Sequence, residues 1–224
     1  MPCSNSAPPL PWRRPRNKID AVMTLHAPRT IPKLAALLLA AGESARFGGR
    51  KQLADIKGRP MIGHTLDRLT AVPELECFVV LGAFGDEIAP LVGPAAHIVH
   101  NPDWASGMGS SIASGIDAVC AQGAFDGVLI TLCDQVALTS MDYDQLIARF
   151  DGSQIIATRH KNGFGVPALF PGNLFDSLKG LTGPSGARNI LNGSRHDVVG
   201  IDLPNARFDI DTQDDLRTVL KQPA

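Results

Sequence analysis

The sequence predicts a single α/β domain, doubly wound in three layers around a mostly parallel sheet. Three observations carry that prediction. Apolar runs of strand length alternate with segments of helical period over the first two-thirds of the chain. The first run, 34–40, is apolar throughout and ends at a glycine-containing loop, the pattern of a central strand buried on both faces. The apolar residues, 44% of 224, are mostly Ala, Leu, Val and Ile, while aromatics make up only 5%. That length suits one domain at the upper end of the usual size.

The elements follow in order. After the strand at 34–40, Pro60 opens a helix over 60–69, in the first turn where proline is tolerated, with Met61, Leu66 and Leu69 apolar. A strand at 77–81 and a short helix at 86–91 come next, then a strand at 96–99. Residues 110–120 read as a helix because Ile112, Ile116 and Val119 recur at spacings of four and three. A strand at 128–132 stops at Cys133-Asp134, and a helix at 141–150 and a strand at 154–158 follow. Beyond this point the texture changes. It gives a strand at 165–170, helices near 173–179 and 185–191, strands at 198–201 and 207–210, and a closing helix at 213–220. Ligands of doubly wound sheets bind beyond the carboxyl ends of the strands. That selects the loops after Ala40, Val99, Leu132 and Ile210.

Composition narrows the function. Lys+Arg (21) and Asp+Glu (22) nearly cancel, so the charge footprint of a nucleic-acid binder is missing. The longest dense apolar run, 34–41, has eight residues, against about 20 for a membrane span, so no membrane partner is expected. Cys3, Cys77, Cys120 and Cys133 are scattered and form no C-x-x-C pair, which speaks against a zinc ribbon or disulfide scaffold and for a reducing cytoplasm. Residues 1–33 hold seven of the 17 prolines and six basic residues against one acid, Asp20. They read as a disordered, basic, proline-rich tail ahead of a domain at 34–221. Arg13-Arg14 lacks the apolar segment of a twin-arginine signal, and Met23 is an alternative start.

The loop Ala40-Ala41-Gly42-Glu43-Ser44-Ala45-Arg46-Phe47-Gly48-Gly49-Arg50-Lys51-Gln52 is the most informative segment. Small residues at 40–42 let a ligand approach the backbone, and successive N–H groups in such a loop cradle phosphate oxygens. Arg46 and Lys51 add two cations suited to phosphoryl charge. The loop is neither a Walker A motif nor G-x-G-x-x-G: Phe47 stands where the former needs its second glycine. A glycine-rich connector with two solvated cations is the plainer alternative. Asp134 follows an apolar strand and so projects at the carboxyl edge of the sheet, as a metal ligand or a turn former. If 207–211 is extended, Asp209 and Asp211 share a face, though Asp211-Thr212 also reads as a helix cap. Ser110 is either an anion contact at a helix N-terminus or a simple cap. Trp104 is either a stacking surface for a ligand or a core anchor.

Here the chain resembles a known family. L-A-A-G-x-S-x-R-F-G-x-x-K-Q-L, from Leu39 to Leu53, is similar to the signature of the nucleotidyltransferases that act on molybdopterin, which share a Rossmann-like core. Gly58-Arg59-Pro60-Met61-Ile62 resembles that family's G-x-P-x-[IL]. Asn101-Pro102-Asp103-Trp104-Ala105-Ser106-Gly107-Met108-Gly109-Ser110-Ser111 resembles N-P-x-W-x-x-G-M-x-x-S of its cytidylyl branch. Leu132-Cys133-Asp134-Gln135, 165–170, Gly186-Ala187-Arg188 and Asp209-Ile210-Asp211-Thr212 also fit, so the resemblance covers about 34–220. Two departures stand out: Val136 replaces a frequent proline, and 183–185 lack the acid of G-D-x-G-A-R.

The resemblance implies transfer of CMP from CTP to molybdopterin or molybdenum cofactor, with release of pyrophosphate. It implies Lys51 and Arg46 as catalytic cations, and Mg²⁺ (or Mn²⁺) on Asp134 and Asp211, with Asp209 as a helper. Nucleotide contacts are implied at Leu39, Ala40, Ala41, Gly42 and Ser44, and further ones at Gly82, Gly107, Ser110, Ser111 and Asp134. Gly165, Pro167 and Arg188 are implied on the acceptor side, so that a nucleotide half at about 34–135 meets an acceptor half at about 136–221. A recipient molybdenum hydroxylase or its chaperone is the implied partner. Guanylyl transfer, nucleotidyl transfer to another small phosphate, a nicotinamide-dependent reductase and a non-catalytic molybdopterin holder are the alternatives.

Overall fold

Strand β1 (Leu34–Ala40) is an interior strand of a seven-stranded sheet, every one of its residues buried. The structure, a computed structural model, describes residues 31–221. A two-residue hairpin, β2 (Asp55–Ile56) and β3 (Arg59–Pro60), stands apart from the sheet ahead of α1 (Met61–Thr70). Then come β4 (Leu75–Leu81), α2 (Gly85–Val92), β5 (His97–His100), α3 (Met108–Gln122) and β6 (Gly127–Leu132). The second part holds α4 (Ser140–Arg149), β7 (Ile155–His160), β8 (Gly163–Pro171), α5 (Phe175–Lys179) and α6 (Arg188–Asn192). It closes with β9 (Val198–Ile201) and α7 (Gln213–Leu220).

The sheet order is β5-β4-β1-β6-β8-β7-β9. β1 pairs in parallel with both β4 and β6, and β8 alone runs antiparallel to its neighbours β6 and β7. The expected doubly wound, mostly parallel α/β architecture is therefore the observed one. Alternate residues of β1 serve the two faces. Leu34, Ala36 and Leu38 pack with Ile62, Leu66 and Leu69 of α1 and with Tyr143 and Leu146 of α4. Ala35, Leu37 and Leu39 pack with Ile112, Ile116 and Val119 of α3 and with Leu178 of α5. Burying a leucine fully on such a sheet contributes roughly 2 kcal/mol. Helix α3 comes so close to β1 that a Cβ at Gly115 would sit inside contact distance of the Leu37 side chain.

Two expectations change. Residues 207–210 form no strand: a 3₁₀ turn at Pro204–Arg207 runs into irregular chain. That segment crosses the carboxyl end of the sheet, where Ile210 donates its N–H to the Asp134 carbonyl at 3.2 Å. The helix expected at 110–120 begins two residues earlier, so Gly107 takes the cap position instead of Ser110. Of the expected tail, residues 1–30, with Met23 and Cys3, lie outside the described residues. Lys33 is anchored, its N–H on Asp126 Oδ2 at 2.8 Å and its Nζ 3.4 Å from Glu76. Among the described residues no helix is long and apolar enough to cross a membrane.

Candidate functional site

The loop after β1 folds back over the carboxyl end of the sheet. Ser44 and Arg50 adopt left-handed backbone, with glycines at 48 and 49 between them. A 3₁₀ turn at Lys51–Leu53 then directs Lys51 inward. Its Nζ lies 2.7 Å from Asp134 Oδ2 and 3.1 Å from Asp211 Oδ1. Arg46, largely exposed, reaches the other oxygen of Asp211 at 3.1 Å. One carboxylate comes from the end of β6 and the other from the segment before α7. Asp215 anchors that segment, its Oδ2 accepting the N–H groups of Asp211 and Thr212 at 3.1 and 2.8 Å.

Charge is concentrated here. Burial opposes the Lys51 ammonium, but Asp134 and Asp211 outweigh it and hold its pKa above the usual value. Asp209 stands on a wall open to solvent, yet desolvation by the surrounding protein, with Asp134 close by, pushes it up to about 6. Burial, reinforced by Asp134, pushes the Cys133 thiol up to about 12, so it is no nucleophile at neutral pH.

Lys51, Cys133, Asp134 and Asp211 line a cleft of about 460 Å³. Leu39, Ala40, Ala41, Gly42, Ser44 and Arg46 form one side, and Lys51, Asp134 and Asp211 the floor. Gly107, Ser111 and Trp104 close the far side. Gly82 and Ser110 do not line it. A Cβ at Gly82 would fall 2.5 Å from the Ala41 carbonyl oxygen and 2.6 Å from Trp104 Cβ, so that glycine serves close packing under the loop. The Ser110 hydroxyl is engaged within the protein: it donates to the Asp103 and Gly107 carbonyls and accepts from Asn101 Nδ2. Gly107 is needed twice over, by its φ of 118° and by Gly183, whose carbonyl carbon a Cβ would approach to 2.5 Å.

A second cleft, about 600 Å³, opens beside the first, with Met108, Leu132 and Pro184 shared as the partition. Its floor is apolar (Ile112, Ile130), and Gly165, Val166, His160, Arg188 and Asp209 stand on its walls. Pro167 lies behind the wall, its carbonyl taken by Thr158 Oγ1 at 2.9 Å. Asp209 and Asp211 thus face different clefts, not one shared face.

Three positioning side chains carry no mark in the sequence beyond their place in motifs. Gln52 donates to the Ala40 and Gly42 carbonyls, Gln135 to those of Val166 and Ala206, and Asn101 to both Ser110 and Ser111 hydroxyls. For a divalent cation, the donor chemistry fits. Asp134 Oδ1 is buried with no hydrogen-bond partner, and carboxylates are the hard oxygen ligands that Mg²⁺ takes. Among the described residues no group of three or more His, Cys, Asp or Glu side chains is arranged to hold a metal; Mg²⁺ commonly takes one or two carboxylates and completes its shell with waters and substrate phosphates.

A family model described as the MobA-like NTP transferase domain matches residues 36–199. The purine catabolism protein PucB of Bacillus subtilis (strain 168) is 28% identical over 178 residues, 73% of this chain and 83% of PucB. The nicotine blue oxidoreductase of Paenarthrobacter nicotinovorans is 31% identical over 119 residues, 52% of this chain and 57% of that protein. The crystal structure of Rv0371c from Mycobacterium tuberculosis H37Rv superposes with a TM-score of 0.72 at 24% identity, covering 86% of this chain and 100% of that one. That last likeness is one of fold.

Proposed function

The chain belongs to the MobA-like NTP transferase family, and from that premise we propose that it transfers CMP from CTP to the terminal phosphate of molybdopterin or molybdenum cofactor. One observation carries the reading. Lys51 is held between Asp134 and Asp211 beneath a loop of small residues, which puts cation and carboxylates together on the floor of a nucleotide-sized cleft.

In this reading an acceptor phosphate oxygen forms a bond to the α-phosphorus, the bond from that phosphorus to the β-phosphate oxygen breaks, and pyrophosphate leaves. The acceptor phosphate is ionised at neutral pH, so no side chain has to remove a proton. Catalysis then rests on alignment and charge neutralisation. Lys51 and Arg46 exchange their carboxylate partners for phosphate oxygens. The N–H groups of the 40–44 loop and the Ser111 hydroxyl orient the nucleotide. Asp134 and Asp211 would hold Mg²⁺ or Mn²⁺, which when bound neutralises phosphate charge. The second cleft takes the acceptor, with Arg188 suited to grip a phosphate through two N–H groups and Gly165 allowing close approach. The nucleotide half of the chain then supplies most of the first cleft and the acceptor half most of the second. A recipient molybdenum hydroxylase or its chaperone would take the product, in the cytoplasm.

The choice of CTP is supported by Ala40-Ala41-Gly42, which resembles the cytidylyl branch where the guanylyl branch shows A-G-G. The test is incubation with Mg²⁺, molybdopterin and CTP, GTP or ATP in turn, following pyrophosphate and the dinucleotide. Turnover with GTP alone would replace the base assignment. The match to a protein named as an oxidoreductase favours one second reading, a nicotinamide-dependent reductase. Oxidation of a reduced nicotinamide with a dye substrate and no pyrophosphate from any triphosphate would establish that reading instead.

A further inference from the structure

The loop at 40–44 has to present its N–H groups, and something must fix which way its peptides face. We propose that Gln52 is the positioning residue of this loop: its single amide nitrogen turns the Ala40–Ala41 and Gly42–Glu43 peptides so that their N–H groups face the triphosphate of a bound nucleotide. This rests on the nucleotide reading above and extends it to a residue with no assigned role.

Gln52 is 2% exposed. Its Nε2 donates to the Ala40 carbonyl at 3.0 Å and to the Gly42 carbonyl at 2.8 Å. The carbonyl between them, Ala41, accepts from the Ala83 N–H at 3.0 Å. Three consecutive carbonyls are therefore tied into the protein. In a trans peptide the C=O of one residue and the N–H of the next point in opposite directions. Binding the Ala40 and Gly42 carbonyls inward thus turns the N–H groups of Ala41 and Glu43 away from the buried Gln52, toward the cleft that the loop lines. Among the described residues the N–H groups of Gly42, Glu43 and Ser44 donate to no backbone carbonyl, so they remain available to an anion.

The orientation of the Gln52 amide is not reversible. A flipped amide would set its oxygen against two carbonyl oxygens, none of which can donate. The geometry is kept although it leaves Oε1 buried without a partner, a desolvation cost that a purely space-filling residue such as methionine or leucine would not carry. Gln52 also follows Lys51 in the same 3₁₀ turn. One turn of backbone therefore sets both the direction of the N–H groups and the position of the cation, which keeps the two in register on one triphosphate.

The test uses the full-length, ¹⁵N-labelled protein and inorganic tripolyphosphate, a probe without base or sugar. In the native protein the amide resonances of Gly42, Glu43 and Ser44 shift on titration. In Gln52→Met, of similar length but with no donor, tripolyphosphate affinity falls roughly tenfold or more, as the loss of two hydrogen bonds implies. The Glu43 shift, on a peptide that Gln52 holds, collapses, while the resonances of Ser111 still respond. A variant that binds within twofold of the native protein, or binds weakly with the Glu43 shift intact, overturns the assignment. Should Gln52→Met fail to fold, the native protein decides alone: its Gln52 side-chain amide protons exchange slowly, and fast exchange overturns the assignment. Failure of the native protein to bind tripolyphosphate or any nucleoside triphosphate would overturn the nucleotide reading itself, a result separate from the variant comparison.

Discussion

Lys51 Nζ and Asp134 Oδ2 are 2.7 Å apart, both side chains almost withdrawn from water, and the same ammonium is shared with Asp211 at 3.1 Å. The carboxylates suited to a divalent cation are thus already neutralised by the protein's own cation. A metal arriving alone must displace a buried ion pair, whereas a triphosphate can draw Lys51 away first. In the native protein Mn²⁺ should bind weakly by itself and more tightly with CTP present, a reciprocal coupling. Lys51→Met should bind Mn²⁺ alone about tenfold or more tightly than the native protein, because like charge has been removed from beside the site. Electron paramagnetic titration of free Mn²⁺ measures this, and equal or weaker binding by the variant would refute the exchange.

Asp134→Asn keeps the shape of the side chain and removes its charge. Nucleotidyl transfer should fall by about 10²–10³, the scale for losing one preorganised electrostatic contact. The circular dichroism spectrum should be unchanged, since the residue sits beyond the end of β6. A variant active within a few-fold of the native protein would remove Asp134 from the reaction.

The raised pKa of Asp209, about 6, has a signed consequence for stability. The unfolded chain releases this proton near pH 4, at about the ordinary aspartate value, so folding takes up a proton between the two values. The group's favourable contribution is complete below about pH 4 and disappears as pH rises through about 6. Urea midpoints measured from pH 4 to 8 should show this declining limb in the native protein and lose it in Asp209→Asn. Parallel profiles for the two proteins would show that the carboxyl titrates normally.

Two glycines separate loop function from loop architecture. A Cβ at Gly42 meets nothing within 4 Å and its φ is not positive, so Gly42→Ala should leave thermal stability within a degree or two. Its methyl group enters the cleft, and nucleotide affinity should drop. Gly107→Ala meets the backbone at Gly183 from a φ of 118°. It should cost about 1–3 kcal/mol in stability, or roughly 2–10 °C for a domain of this size. Calorimetry with and without CTP separates the two, and equal melting temperatures would contradict the geometry.

The parts of the fold legible in the sequence were those with a one-dimensional signature. The run at 34–40 is apolar at every position because both faces of β1 are covered, and the spacing of Ile112, Ile116 and Val119 matches the face that α3 buries. Strand direction has no such signature. That β8 is antiparallel could have been taken only from the two residues, Lys161 and Asn162, between it and β7, too few for a crossover. Residues 207–210 imitate a strand because Phe208 and Ile210 alternate with polar neighbours, yet no strand edge is offered to them. Ile210 is buried instead beside Phe47, Ile56 and Met61. At the site, Lys51, Asp134 and Asp211 were legible as charged groups at loop positions. Gln52, Gln135 and Asn101 were not, because each acts on backbone or hydroxyl groups whose positions only the folded chain defines.

The pairs that define the cleft floor are remote in sequence: Lys51 and Asp134 are 83 positions apart, and Lys51 and Asp211 are 160 apart. Contacts of such separation form only after long loops have closed, late and slowly in folding. A chain still emerging from the ribosome, with its sheet assembled but residue 211 not yet released, has the loop and lacks the second carboxylate. Competence therefore waits for the release of residue 211. A ligand that engages both carboxylates holds the two ends of this long circuit together and should slow global unfolding, not merely shield the cleft.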